Sequence, residues 1–446
     1  MVFTAEKITN FPNRLSLPDT RWSSDHQKKN DPFGHFIVRK ITSIIILPQL
    51  ADFAAVVEGD IVSSGENCQL LVNGQIFTGE KILSEREVLL ANGRIQTVHL
   101  SSRAVDHVTV VDLNGGLLAP GFIDCQVNGG GGVMFNDRPA PDIIAAMIKA
   151  HRSFGTTGML PTLISDEWGT MQAAADAVRS AYRLGLPGLL GLHFEGPYLN
   201  PEKHGAHSKN QIRGLDSGLL ELLGADDLGQ VVMTLAPEMV PAGLIRDLTN
   251  AGVKVCAGHC APDAHQIADA LKEGLVGFTH LFNAMPPMSS RTPGIVGAAL
   301  DDENTWCGII ADGHHVDPVT LSVAVAAKIT GRMMLVTDAT APVGTNSEIF
   351  QMSGQSVTVK NGRCILHDGT LAGSCLDMAS AVRNTHNLVG LPLEEALRMA
   401  SLYPAAFLGM EDQRGRIVEG YCADLVLLDD DLKVLCTWID GAMQEN

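Results

Sequence analysis

The sequence predicts a (β/α)₈ barrel of the TIM type carrying a smaller β module assembled from both ends of the chain. Three observations carry this. Short apolar strands recur near 117–127, 158–164, 189–195, 230–236, 253–258, 276–281, 306–311 and 333–338, and most gaps between them read as helices. Those helices end in glycine just before the next strand, where a left-handed residue closes a helix. Polar residues of metal-ligating or acid–base type recur at the strand ends, the face on which barrels of this kind carry their chemistry.

Residues 1–68 are polar with few periodic signals and read as a poorly ordered extension of unassigned role. From Gln69 the pattern sharpens into β structure. "QLLVNGQIF" and "EVLLANGRIQTVHL" each place Asn-Gly between β-rich runs, Asn73-Gly74 and Asn92-Gly93, the strongest short hairpin signal. The tail "GRIVEGYCADLVLLDDDLKVLCTWIDGAM" repeats the style with Asp440-Gly441 as its turn. The two β segments, 69–119 and 413–446, are expected to pair with each other around a barrel spanning 120–412. Inside the barrel, "PDIIAAMIKAHRSFG", "MQAAADAVRSAYRLG", "PAGLIRDLTNAG", "DAHQIADALKEG" and "PVTLSVAVAAKITG" supply helices between strands. Repeated β-then-α units argue for a closed parallel barrel rather than an open sheet.

A formal charge of −18 opposes sequence-independent affinity for nucleic acid or anionic lipid, both of which need clustered Lys and Arg. The early apolar run Ile44–Leu47 stops at Pro48, far short of the ~20 residues of a spanning helix. A cytoplasmic protein with no membrane or nucleic-acid partner is expected. Nine cysteines, an odd number scattered mostly in apolar runs, read as buried reduced thiols. Cys256 and Cys260 flank His259, but no second Cys/His pair follows at finger spacing.

The strand ends deliver, in order, Gln126 and Asn128, Thr162, His193 and Glu195, Glu238, His259, His280, Asp312 with His314 and His315, and Asp338. Glu195, His259 and His280 form a carboxylate and two imidazoles, the ligand inventory of catalytic metal sites that keep a position open for water. Asp338 suits a general base that takes the water's proton and returns it to the leaving group. Many metal hydrolases carry a His-x-His pair where this chain has Gln126 and Asn128. Neutral amides there orient a water or substrate but hardly anchor a second cation, so one divalent ion is expected: zinc first, with iron, cobalt and manganese accepted by the same ligand set. His193 stays open between packing and catalysis, and His314 is undecided. Glu238 reads as scaffold, and Gly129–Gly132 as either a phosphate cradle or close packing.

At "PGFIDCQVNGGGGV", "GLHFEGPYLN", "THLFNAMPP", "GIIADGHHVD", "LVTDATAP" and "LAGS" the sequence resembles the amidohydrolase superfamily and, within it, the deacetylases of amino-sugar 6-phosphates, over about 69–446. The resemblance implies a barrel plus a small β-sandwich built from both chain ends. It implies hydrolysis of the N-acetyl group of N-acetyl-D-glucosamine 6-phosphate to D-glucosamine 6-phosphate and acetate, with the galactosamine epimer as an alternative substrate. Matched positions give Glu195, His259 and His280 as metal ligands and Asp338 as catalytic acid/base. His207 then polarises the acetyl carbonyl, and Asn283, Ala284 and His315 contact the sugar phosphate. Arg291 reaches the substrate of a neighbouring subunit, which implies a functional homodimer or a dimer of dimers. The Gln126-x-Asn128 pair matches a one-metal branch, and residues 1–68 have no counterpart. Two alternatives compete: a cyclic-amide hydrolase, whose His-x-His pair is absent at 126–128, and a catalytically silent sugar-phosphate-binding homologue.

Overall fold

The structure, a computed structural model, describes residues 39–40, 68–100, 108–224 and 226–446. Eight parallel strands form the expected barrel: β1 Phe122–Val127, β2 Thr156–Ile164, β3 Gly191–Glu195, β4 Gln230–Leu235, β5 Lys254–Ala257, β6 Gly277–Phe278, β7 Trp306–Ile309 and β8 Met333–Leu335. Spatial order follows chain order. β1, β2 and β3 are buried along their whole length, which is why they read as continuous apolar runs rather than alternating ones. No ladder joins β8 to β1. The chain just beyond β8 closes the circle instead, through a Val127↔Ala339 bridge and hydrogen bonds from Asp338 N–H to Gln126 O (3.0 Å) and from Asn128 N–H to Ala339 O (2.8 Å). Closure therefore falls at the residues from which the site is built.

The helices pack apolar stripes onto the outside of the strands. Pro141–Arg152 buries Ile143, Ile144, Met147, Ile148 and His151, one helical face, and starts on a proline whose missing N–H costs nothing in the first turn. Gly155, at φ 86°, turns that helix into β2. Ala264–Lys272 begins with a full capping box between Asp263 and Gln266.

Among the described residues, a nine-stranded sheet joins both ends of the chain. Leu117–Pro120 pairs antiparallel with Leu425–Leu428, and Val434–Ile439 and Ala442–Glu445 extend it. Leu117–Pro120 is separate from β1, although one apolar run covers both. Gly121 makes the break: its N–H donates to Asp424 O (2.8 Å), and a Cβ there would fall 2.1 Å from Thr157 Oγ1. Asn92-Gly93 and Asp440-Gly441 form the expected turns. Asn73-Gly74 does not. It lies within one strand, Gln69–Phe77, with Asn73 at φ 57° and a register slip between Leu71 and Gly74. Asn tolerates the left-handed region in bulges as readily as in turns, so the dipeptide alone does not separate the two.

A second antiparallel sheet was not expected: Ile349–Met352, Gln355–Lys360, Arg363–Ile365 and Leu371–Ser374, inserted after β8. Its cues in the sequence are Ser353-Gly354 and Asn361-Gly362, both at turn φ values. The expectation for residues 1–68 lies outside the described residues, apart from Cys68 and Arg39–Lys40, which pair with Thr109 and Val110. All nine cysteines are free thiols and seven are buried. Among the described residues no helix is long and apolar enough to cross a membrane.

Candidate metal centre and active site

Glu195 ends β3, and His259 and His280 each sit two residues past the end of β5 and β6. All three are buried. His259 Nε2 and His280 Nε2 lie 3.0 and 2.9 Å from Glu195 Oε1, and 3.0 Å from each other. His259 Nδ1 lies 2.8 Å from Lys203 O. A carbonyl only accepts, so the proton of a neutral His259 sits on Nδ1 and its Nε2 presents a lone pair. Two potential acceptors, His259 Nε2 and Glu195 Oε1, thus meet at contact distance in a buried place, an arrangement that a shared cation relieves. A triangle with sides of 2.9–3.0 Å allows a point about 2 Å from all three atoms, the ordinary length of a zinc bond to nitrogen or oxygen. The donor set fits one divalent ion. His259, His280 and Asp338 all have positive φ (50°, 32° and 52°), strain that persists only where surrounding structure enforces it.

Asp338 faces this triangle through two amides. Asn128 Nδ2 donates to Asp338 Oδ1 (2.7 Å), while Gln126 Nε2 lies 3.2 Å from the same oxygen and 3.1 Å from Glu195 Oε2. Gln126 therefore stands between the two carboxylates. Burial, reinforced by repulsion from Glu195, pushes the Asp338 carboxyl up to about 6, a value suited to moving protons near neutrality. Asp124, buried behind the pair, accepts N–H donors from Gln126 and Thr337 and the Thr337 hydroxyl. It bolts β1 to the segment that carries Asp338. Burial still outweighs those donors and raises the Asp124 carboxyl to about 7.

His207 accepts the Ser165 backbone N–H at Nδ1 (3.2 Å), so the proton of its neutral ring sits on Nε2, which lies 3.8 Å from Glu195 Oε1. Burial depresses its pKa to about 4, leaving a neutral N–H donor aimed at the centre. His193 points elsewhere: its nitrogens meet Thr162 Oγ1 (3.1 Å) and Thr234 Oγ1 (2.8 Å), and Thr234 in turn meets Thr279 (2.6 Å). That chain of hydrogen bonds laces β2, β3 and β4 to the end of β6, a packing role. Glu238 accepts from Asn200 Nδ2 (2.9 Å) and Ala261 N–H (2.6 Å), as scaffold. The glycine run is also packing: Gly129, Gly131 and Gly132 spend their N–H groups on Ala339, Val343 and Ala341 carbonyls, leaving none of the three to cradle a phosphate.

A cavity of about 440 Å³ opens over the triangle, lined by Asn128, Glu195, His207, His259, His280, Asn283, Ala284, His315 and Asp338. Arg291 is exposed on the 285–293 loop and is not among the residues lining it. His314 is exposed beside the Gly362 turn. Sequence reasoning missed Ser165, Lys203 and His204. It also missed the wall contributed by the inserted sheet and its connecting turn, Met352, Asp368, Thr370, Leu371 and Gly373. The turn pairs Ser353-Gly354 and Asn361-Gly362 were the signals for that wall.

Residues 117–443 match the model of the Amidohydrolase family, and residues 70–118 match that of the NagA composite domain. The chain belongs to the amidohydrolase family. An N-acetylgalactosamine-6-phosphate deacetylase of Shewanella sp. is 47% identical over 74% of this chain and 84% of its own. An N-acetylglucosamine-6-phosphate deacetylase of Haemophilus influenzae is 34% identical over 84% of this chain and 99% of its own. The crystal structure of N-acetylglucosamine-6-phosphate deacetylase from Pasteurella multocida superposes with a TM-score of 0.82, at 35% identity, covering 85% of this chain and all of that one. Family membership makes this amidohydrolase a hydrolase and implies a divalent metal, which the Glu195, His259 and His280 cluster fits.

Proposed function

We propose that this amidohydrolase removes the acetyl group of N-acetyl-D-glucosamine 6-phosphate, releasing acetate and D-glucosamine 6-phosphate. The observation that carries the proposal is the meeting, in one cavity, of a His₂Glu triangle, a buried carboxylate of raised pKa and a neutral histidine N–H donor. Glu195, His259 and His280 hold one ion, zinc before iron, cobalt or manganese, because Gln126 fills the place between Glu195 and Asp338 with an amide rather than a ligand. When bound, the ion supplies Lewis acidity that lowers the pKa of water toward about 7. Asp338 takes the water's proton and delivers it to the departing amine, while Asn128 holds the carboxylate at the right angle. His207 donates Nε2–H to the acetyl oxygen as negative charge develops there. Asn283, Ala284 and His315 hold the sugar phosphate, with Arg291 supplied by the partner of a homodimer, itself able to associate as a dimer of dimers. We place the catalytic barrel at 120–412, the β module at 69–119 with 413–446, and the protein in the cytoplasm.

A second substrate is favoured by the Shewanella relative, which is named for the galactosamine epimer. Acetate release from each N-acetylamino-sugar 6-phosphate, after chelation and metal-by-metal reconstitution, tests the proposal. kcat/KM higher for the gluco epimer supports the first reading, and higher for the galacto epimer supports the second. Tight sugar-phosphate binding without acetate release under any metal removes both.

A further inference from the structure

On the loop after β7, His315 forms a buried dyad with Asp312, a residue to which the reaction above gives no part. Asp312 Oδ2 lies 2.6 Å from His315 Nδ1, and both side chains are 6% exposed. Its other oxygen, Oδ1, accepts the backbone N–H groups of His314 and His315, each at 2.8 Å. Among the described residues its hydrogen-bond partners are two backbone N–H groups and the His315 ring, a set that suits the ionised form. Burial alone would raise its pKa, yet the His315 ring and the two backbone donors hold it below the ordinary range.

An ionised Asp312 fixes the proton of a neutral His315 on Nδ1, which leaves Nε2 as the ring nitrogen free of Asp312 on a residue that lines the cavity. A bare Nε2 offers a lone pair, and a phosphate dianion also offers only acceptors. The two can meet only if the ring takes up a proton from solvent, becoming an imidazolium with a donor at each nitrogen. Among the described residues lining the cavity, Lys203 is the only Lys or Arg. Fixed positive charge is scarce where a dianion has to be held.

We propose that Asp312 is a positioning residue that lets His315 become cationic when phosphate arrives, so that recognition of a phosphorylated sugar is coupled to uptake of one proton. This rests on the reading that His315 meets the substrate's phosphate. Asp338 is the acidic group in the cavity whose ionised form His315 favours, and its negative charge favours the imidazolium in return, while Lys203 in the same lining opposes it.

The test is the ratio of kcat/KM for N-acetylglucosamine 6-phosphate to that for unphosphorylated N-acetylglucosamine, measured with the metal-loaded enzyme from pH 7 to 9. Titrations of the metal centre and Asp338 affect both substrates and cancel in this ratio, and the phosphate stays dianionic. In the wild type the ratio is expected to fall as pH rises. In Asp312→Asn it is expected to be at least about tenfold lower at pH 7, since the charge partner of the imidazolium is gone. His315→Gln, a neutral donor, is expected to give a low ratio that does not vary with pH, and it serves if Asp312→Asn does not fold. An Asp312→Asn ratio equal to the wild type's across this range, or a His315→Gln ratio that keeps the wild type's fall with pH, overturns the inference. A wild type that does not prefer the phosphorylated sugar at all overturns instead the functional reading beneath it.

Discussion

Asn128 Nδ2 donates to Asp338 Oδ1 over 2.7 Å, so the residue after the first barrel strand orients the carboxylate that follows the last. Replacing Asp338 by Asn preserves shape and removes the proton carrier. Turnover is expected to fall by about 10²–10⁴, with metal content unchanged at one equivalent per chain. Steady-state acetate release and elemental analysis of the same sample check both halves.

His207 is held by Ser165 with its N–H directed inward, as the role proposed for it at the acetyl oxygen requires. His207→Phe is expected to lower kcat by about 10²–10³ with a smaller change in KM, the pattern of an interaction made mainly in the transition state. A rise in KM alone would move His207 from catalysis to ground-state binding.

Metal removal leaves two buried lone-pair donors, His259 Nε2 and Glu195 Oε1, facing each other at 3.0 Å. Chelation is expected to abolish acetate release and to lower Tm, and restoring an ion at 100 times its Kd should return about 2.7 kcal/mol of stability. Calorimetry of the apo and reconstituted protein measures this.

Asp124 gives a pH dependence of stability with a definite sign. Its folded pKa, about 7, lies above the ordinary carboxyl range, so the folded state binds its proton more tightly than the unfolded chain does. The resulting stabilisation is complete below about pH 4, declines as pH rises, and is gone above about pH 7. Asp124→Asn cannot ionise, so urea midpoints of that variant should fall less between pH 5 and 8 than those of the wild type. Parallel curves would exclude Asp124 as the source.

If Arg291 serves the neighbouring subunit, two crippled proteins should rescue each other. Arg291→Ala and Asp338→Asn are each expected to be poor alone. After mixed refolding, heterodimers carry one intact site, and random pairing restores roughly a quarter of wild-type activity. No recovery in a sample shown to contain heterodimers excludes Arg291 from the neighbouring subunit's site.

The barrel was legible because its strands are buried on both faces and its helices end in glycine, both of which leave unambiguous marks. The His₂Glu set and Asp338 were legible because each sits at or just past a strand end, where register converts sequence order into position. The inserted sheet at 349–374 was not, since short, half-exposed strands such as Ile349–Met352 carry little apolar signal. Nor were the proton positions on His207 and His259. Those depend on the Ser165 N–H and the Lys203 carbonyl, which the fold brings from 42 and 56 residues away. The left-handed backbone at His259, His280 and Asp338 has no sequence signature either, because none of the three is a glycine.

The sheet that joins Leu117–Pro120 to Leu425–Leu428 has a consequence for biosynthesis. A nascent chain emerges from the ribosome in order, at about 5–20 residues per second, so the early β segment must wait some fifteen seconds or longer for its mate. During that interval a strand edge rich in leucine lies open to strangers. Whatever shields it while the barrel is being made, be it a chaperone or transient contacts within the emerging polypeptide, determines how much of the product survives to meet its substrate.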